Sequence, residues 1–154
     1  MEDPRVVYFY STTGDHGYMS NFAAYPIELD GKRWRTTEHY FQAQKFVGTS
    51  HEEDVRAAKT PKDAANRGRD RKRPLRSDWE SVKDAVMRKA VLAKFQQHPD
   101  LAAQLVATGG AKLVEKTTGD YYWGCGSSGA GKNMLGVILM EVREVLAADG
   151  DAGG

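Results

Sequence analysis

Apolar and polar positions recur along this chain at two periods, and the switches between them mark out its elements. Arg5-Val-Val-Tyr-Phe-Tyr10 is β-branched and aromatic and predicts a first strand. A polar loop spans Ser11 to Gly17, and Met19-Ser20-Asn21-Phe22 then leads into a second extended piece. Pro26-Ile-Glu-Leu29 and Lys32-Arg-Trp34 flank Asp30-Gly31, the two-residue signal of a type I′ hairpin. Helical periodicity follows. Thr36 or Thr37 caps a helix that runs to about Val47 and stops at Gly48, with Tyr40, Ala43 and Val47 as an apolar stripe. Ser50-x-x-Glu53 is a capping box for a short helix to about Ala58, and Thr60-Pro61 opens another that ends near Gly68.

A second capping box, Ser77-x-x-Glu80, starts a long helix to about Gln97. Its core stripe is Trp79, Val82, Val86, Ala90 and Ala93, joined by Met87, Val91 and Phe95. Pro99 opens a helix over Asp100–Ala107, Gly109-Gly110 closes it, and Ala111–Glu115 reads as a short strand. Met134, Leu135, Ile138, Leu139, Val142, Val145 and Leu146 define a terminal helix, with Asp149–Gly154 as a disordered tail. The expected fold is α+β: one helix-rich domain over residues 1–147 with a small antiparallel sheet, and a tail over 148–154.

Composition narrows the classes. At 154 residues the chain can bury a substantial core without staples. Its net charge of +1 gives no global field for nucleic acid. A single cysteine, Cys125, excludes an intrachain disulfide and suits a reducing compartment. No apolar run approaches 18 residues and Met-Glu-Asp-Pro-Arg is no signal peptide, so a soluble, cytoplasmic protein is expected.

Candidate chemistry concentrates in two stretches. The later one, Asp120 to Gly136, places four glycines between Gly124 and Gly131, after Tyr121-Tyr-Trp123 and before an apolar helical run. Glycine admits close backbone approach, and a helix start offers unpaired N–H groups to an anion. The expectation is a phosphate-holding loop with Tyr121, Tyr122 and Trp123 free to stack, Lys132 adding charge. Gly124-Cys-Gly-Ser-Ser-Gly129 also fits G-x-G-x-x-G, but the chain is too nearly over for a second strand to follow. Gly126 to Lys132 resembles a P-loop, yet Asn133 stands where magnesium needs Ser or Thr.

The earlier stretch is the helix after Thr37. Glu38 and Lys45 are seven positions apart, so at 100° per residue they share one stripe with Phe41 and Gln42. Lys45 would lean back toward Glu38. From the residues alone the plainer reading is a first-turn acid facing the helix dipole and a solvated lysine. A charge run, Arg67 to Arg76, is by turns a solvated loop or a phosphate and nucleic-acid contact through Arg67, Arg69 and Arg71.

Taken together, Ser20-Asn-Phe22, Thr37-Glu-His-Tyr-Phe-Gln-Ala-Gln-Lys45, Asp120-Tyr-Tyr-Trp-Gly124, Gly131-Lys-Asn-Met-Leu-Gly136 and Leu139-Met-x-Val-Arg143 resemble the NADAR (NAD and ADP-ribose) family, in order and from about Tyr8 to Leu146. The resemblance implies a helix-rich α+β N-glycosidase without a metal or other cofactor. Its substrate would be an ADP-ribosyl or phosphoribosyl group on the amino group of a heterocyclic base, either ADP-ribosylated guanine in nucleic acid or an early riboflavin intermediate. It implies catalytic roles for Glu38, Lys45 and Asp120. It implies substrate binding by Ser20, Asn21, Phe22, Tyr40, Trp123, Gly124, Gly131, Lys132 and Asn133. No membrane partner is implied. Two alternatives keep their place: a non-catalytic ADP-ribose reader using the same pocket, and, from the P-loop likeness, a magnesium-dependent phosphotransferase.

Overall fold

A computed structural model describes residues 5–153, with side chains through residue 150; Met1-Glu-Asp-Pro4 and Gly154 lie outside it. The chain divides into two compact units. One is formed by the stretch up to Ser20 together with Phe95 onward, the other by Asn21–Lys94.

In the first unit, β1 (Val6–Phe9) pairs in parallel with β4 (Lys112–Glu115), Val6 opposite Lys112 and Phe9 opposite Glu115. Parallel strands need a long crossover, and here it contains the whole second unit. Met19 itself is in a turn, ahead of the extended chain. A 3₁₀ turn occupies Gly17–Met19, where a Cβ on Gly17 would lie 2.1 Å from the Thr12 carbonyl oxygen. The core gathers Phe9, Leu101, Leu105, Leu113, Leu135, Ile138 and Leu139, drawn from the strands, α5 (Pro99–Ala107) and α6 (Met134–Gly153). Val145, placed in the apolar stripe by sequence, is 44% exposed, and Arg143 is buried instead. The Arg143 guanidinium donates through Nη1 to Thr108 Oγ1 and the Ala111 carbonyl at 2.9 and 2.8 Å, so its charge enters the interior hydrogen-bonded. The final helix also takes in most of the stretch expected as a tail, since extending a helix already anchored by packing costs little per residue.

The second unit starts with the hairpin as predicted. β2 (Ile27–Leu29) and β3 (Lys32–Trp34) are antiparallel, joined by Asp30 and Gly31 at φ 57° and 77°. Behind it lies α1 (Thr37–Gln44), capped by Thr36, whose hydroxyl oxygen accepts from the His39 N–H. Every residue of α1 is buried. Around it stand α2 (Ser50–Arg56), α3 (Pro61–Gly68) and α4 (Trp79–Gln97), which continues into the first unit. The cap of α2 is Thr49, one residue before the expected Ser50, because its hydroxyl oxygen meets the His51 N–H while Glu52 reaches back to the Gly48 N–H. The apolar stripe of α1 is likewise misplaced at its end: Phe46 is buried and Val47 is 44% exposed. The helix closes at Gln44, so the last residues leave its periodicity.

Candidate active site

A helix buried on all sides normally carries apolar residues, yet α1 carries Glu38, Gln42 and Gln44, with Lys45 at its end, all under 8% exposed. Glu38 does stand in the first turn of α1, but buried, and the solvated reading of Lys45 fails. Asn21 builds the start of the helix. Its carbonyl accepts from the Glu38 N–H at 3.2 Å, and its side-chain oxygen accepts from the Thr37 hydroxyl at 2.8 Å. The side-chain amide of Asn21 is turned to the Met87 sulfur at 3.4 Å. Two of the motifs singled out in the sequence thus meet, with Asn21 fixing the backbone that presents Glu38.

One turn on, Gln42 donates its side-chain N–H to Glu38 Oε2 at 2.7 Å. Its own Oε1 is buried with no hydrogen-bond partner among the described residues. Leaving such an acceptor unmet costs about 1–3 kcal/mol, so the amide serves the carboxylate at the expense of its carbonyl. Gly68 closes against it, where a Cβ would come 2.1 Å from Gln42 Oε1. Sequence reasoning passed over Gln42 as an orienting residue; its i, i+4 spacing from Glu38 was the available signal.

Lys45 has the least ordinary surroundings. Its ammonium lies 5.9 Å from the Phe41 ring centre and 5.8 Å from that of Trp79, which pack edge to face at 5.1 Å. Its hydrogen bond to the Gly68 carbonyl is long, 3.4 Å. Among the described residues it has no ion pair. Burial first, and then Arg71, push the Lys45 amine down to about 8; Glu38 pulls it up more than Arg69 pushes it down, and Glu80 pulls up least. Roughly a tenth of it is free amine at pH 7.

The arginine run is divided by its partners. Arg67 bonds Asp54 and Asp63, Arg73 bonds Asp54, and Arg76 bonds Asp78. The Arg76 N–H also donates to the Lys45 carbonyl at 3.0 Å, fastening this loop to the end of α1. Arg69 and Arg71 are exposed and, among the described residues, carry no carboxylate. Tyr40 is not part of this cluster. It is buried under the hairpin, with its hydroxyl on Asp30 at 2.7 Å and its ring 5.1 Å from Trp34.

The glycine loop lies in the first unit. Most of its N–H groups are engaged within the loop or by the end of β4 and the turn after it. Those of Tyr122 and Trp123 go to Asp120 Oδ1, and that of Gly126 to Thr117 Oγ1. Those of Gly131, Lys132 and Asn133 go to the Cys125, Tyr121 and Gly124 carbonyls. The first N–H groups of α6, on Met134 and Leu135, are met by the Tyr122 and Trp123 carbonyls. The glycines are needed for space: a Cβ would lie 2.3 Å from Thr117 Oγ1 at Gly124 and 2.5 Å from the Gly124 carbonyl oxygen at Gly131. Asn133, at φ 53°, donates to the Leu113 carbonyl and accepts from the Glu115 N–H, sealing the free edge of β4. Trp123 packs edge to face on Tyr122 at 4.9 Å, and the Lys132 ammonium sits 5.4 Å over the Tyr122 ring. Ser20, buried, closes the 3₁₀ turn of the same unit. Phe22, in the second unit, is 37% exposed.

Among known proteins, the NADAR domain profile matches residues 8–147. The N-glycosidase YbiA of Escherichia coli is 58% identical over 97% of this chain and 92% of its own length. The NMR structure of E. coli YbiA superposes with a TM-score of 0.88 at 57% identity, covering 97% of this chain and 88% of that one. The N-glycosidase Npun_R5314 of Nostoc punctiforme is 46% identical over 90% of both chains. The riboflavin biosynthesis protein VVA0006 of Vibrio vulnificus is 42% identical over 95% of this chain, which spans 39% of that protein. Among the described residues no helix is long and apolar enough to cross a membrane.

Proposed function

The chain belongs to the NADAR family, and we propose that it is an N-glycosidase that uses Glu38 and Lys45 to hydrolyse the C1′–N bond between a ribose phosphate and the amino group of a heterocyclic base. The observation that carries this reading is the lysine: an amine buried against two aromatic rings, without an ion pair, and lowered to about 8. A lysine so placed is costly to stability and suited to nucleophilic work.

The chemistry follows from the groups at hand. An N-glycoside of an exocyclic amine is an aminal, and protonation of the ring oxygen by Glu38 opens it to an imine at C1′. The free amine of Lys45 adds to C1′, and its proton passes through Glu38 to the base nitrogen. The C1′–N bond to the base then breaks, releasing the heterocyclic amine and leaving C1′ joined to Lys45 as an imine. Water adds to C1′ and expels the lysine, giving the free sugar phosphate. Glu38 acts as acid, then base, and is restored. Gln42 and Asn21 are positioning residues that hold the carboxylate. Arg69 and Arg71, cationic and without carboxylates, are the groups offered to the substrate phosphate.

A relative named as a riboflavin biosynthesis protein favours the phosphoribosyl pyrimidine intermediate as substrate. ADP-ribosylated guanine presents the same C1′–N linkage. Side-by-side turnover on the two substrates tests the reading: release of the free base from either, lost in the Glu38→Gln protein, is the expected result. Stoichiometric binding of both with no release would instead identify a reader and end the enzymatic account.

A further inference from the structure

A reacting carbon must come within bonding distance of the Lys45 amine, and a sugar phosphate cannot do so while the amine stays covered. Lys45 is 6% exposed and Glu38 7%. Something over them has to move. The amine lies between the two ends of one irregular stretch. The Gly68 carbonyl, where α3 ends, is 3.4 Å from it, and the ring of Trp79, where α4 starts, is 5.8 Å away. Residues 69–78 join those ends, and the charges of Arg71 and Arg69 are felt at the amine.

This stretch is held lightly. Its internal bonds are those of turns: the Arg73 N–H on the Asp70 carbonyl at 3.2 Å, the Lys72 N–H on Asp70 Oδ1 at 3.0 Å, Arg76 on Asp78. Leu75 is 40% exposed and gives no apolar anchor. Ties to the helices around it run through Arg76 and Arg73. Arg76 donates its N–H to the Lys45 carbonyl at 3.0 Å and its Nη1 to the Gln44 carbonyl at 3.4 Å. Arg73 reaches α2, where its Nη1 meets Asp54 Oδ2 at 2.6 Å and His51 Nδ1 at 3.0 Å. Arginine only donates, so His51 Nδ1 accepts there. The closed form also leaves buried atoms wanting. Arg73 Nε has no hydrogen-bond partner among the described residues, with Asp70 Oδ2 3.8 Å off, and the unmet Gln42 Oε1 faces Gly68 at the start of the stretch. Opening gives such groups to water, which lowers its cost.

We propose that residues 69–78 are a strap over Lys45 that swings off to admit the substrate, and that Arg73, held by Asp54 and His51, is its latch. The substrate takes up the space the strap leaves, so the latch stays broken in the complex. This rests on the reading of Lys45 as the reacting amine, and the first measurement below is independent of that reading.

The test is acetylation of the full chain by acetic anhydride without substrate, followed residue by residue with peptide mass spectrometry. Exposed Lys62 reports the reagent, and Lys94, 2% exposed, reports global unfolding. In the wild type Lys45 should react more slowly than Lys62 and faster than Lys94. Arg73→Gln should raise the Lys45 rate about tenfold and leave Lys94 unchanged. His51→Ala, which keeps the Asp54 pair as a safeguard for folding, should raise it a few-fold. In turnover, KM of Arg73→Gln should fall by the factor seen in labelling with kcat unchanged, because apparent affinity scales with the fraction of the open form. Unchanged Lys45 labelling in both variants, labelling of Lys45 and Lys94 rising together, or a KM that stays or rises would each overturn the strap. Labelling that responds as expected in a protein that turns over neither substrate would leave the strap standing and end the enzymatic reading instead.

Discussion

The end of α1 and the glycine loop look alike in sequence, each an unusual polar motif beside aromatics, and they differ in how their polar groups are satisfied. In the loop, donors and acceptors close on one another: Asp120 on the N–H groups of Tyr122 and Trp123, Asn133 on the edge of β4, carbonyls on the start of α6. Around Lys45 the accounts stay open. An amine has aromatic faces in place of a carboxylate, and the Gln42 carbonyl has no partner among the described residues. Satisfied polar groups stabilise a fold, and buried groups left wanting are raised in energy, where chemistry can use them. The comparison sets a helix end with unmet polar groups beside a loop that largely meets its own.

The largest effect should come from the helix. Glu38→Gln keeps the shape and hydrogen bonding of the side chain but cannot shuttle protons. It should lower turnover by about 10²–10⁴-fold while substrate affinity, measured by calorimetry, stays within a few-fold of wild type. Lys45→Ala should lose turnover on the same scale. Should either variant retain near-full rates, the contrast between the two regions collapses.

Next in size is Gly136→Ala, at the start of α6. A Cβ there would lie 2.1 Å from the Leu113 carbonyl oxygen and 2.4 Å from Asn133 Nδ2. Forcing the helix off β4 should cost about 3 kcal/mol in urea denaturation. A folded, fully stable Gly136→Ala protein with impaired substrate binding would instead make the loop a ligand site.

The pH profile is a smaller effect with a definite sign. As a nucleophile Lys45 works in its neutral form, so kcat/KM should rise with pH and level off above about 8. A lysine acting as a cation would give the opposite slope through the same value. Arg69→Gln/Arg71→Gln removes two like charges, so the midpoint should move to higher pH and the phosphorylated substrate should bind less tightly. The smallest expected change is at Gly129, φ 79° with open space around its Cβ position. Gly129→Ala should cost about 1 kcal/mol of stability through backbone strain alone, with KM untouched if the loop holds no phosphate.

How much of this was legible in the chain depends on the range of the forces involved. The Asp30-Gly31 hairpin and the Thr60-Pro61 cap are local, and the structure shows each where the sequence places it; the long helix also forms, but from Trp79 rather than directly from the capping box at Ser77. Glu38 and Lys45 were legible as neighbours on one stripe, and the family motif implied their roles. Their burial was not legible, because nothing in α1 itself says that α2, α3, α4 and the hairpin pack around it. The packing of the glycine loop was not legible for the same reason. Glycines that admit a phosphate and glycines that admit Thr117 or a neighbouring carbonyl look identical until tertiary contacts declare which is present. Arg143 and Lys94 are buried charges inside apolar runs, and periodicity alone gave them no separate signal.

The claim at the centre is that the amine of Lys45 takes the sugar carbon. Turnover in the presence of borohydride, followed by peptide mass spectrometry, addresses it directly. The account predicts one reduced sugar phosphate adduct, on Lys45, formed in the wild type and absent from Lys45→Ala. Full turnover with no trapped adduct, or an adduct on Lys132 instead, would contradict it.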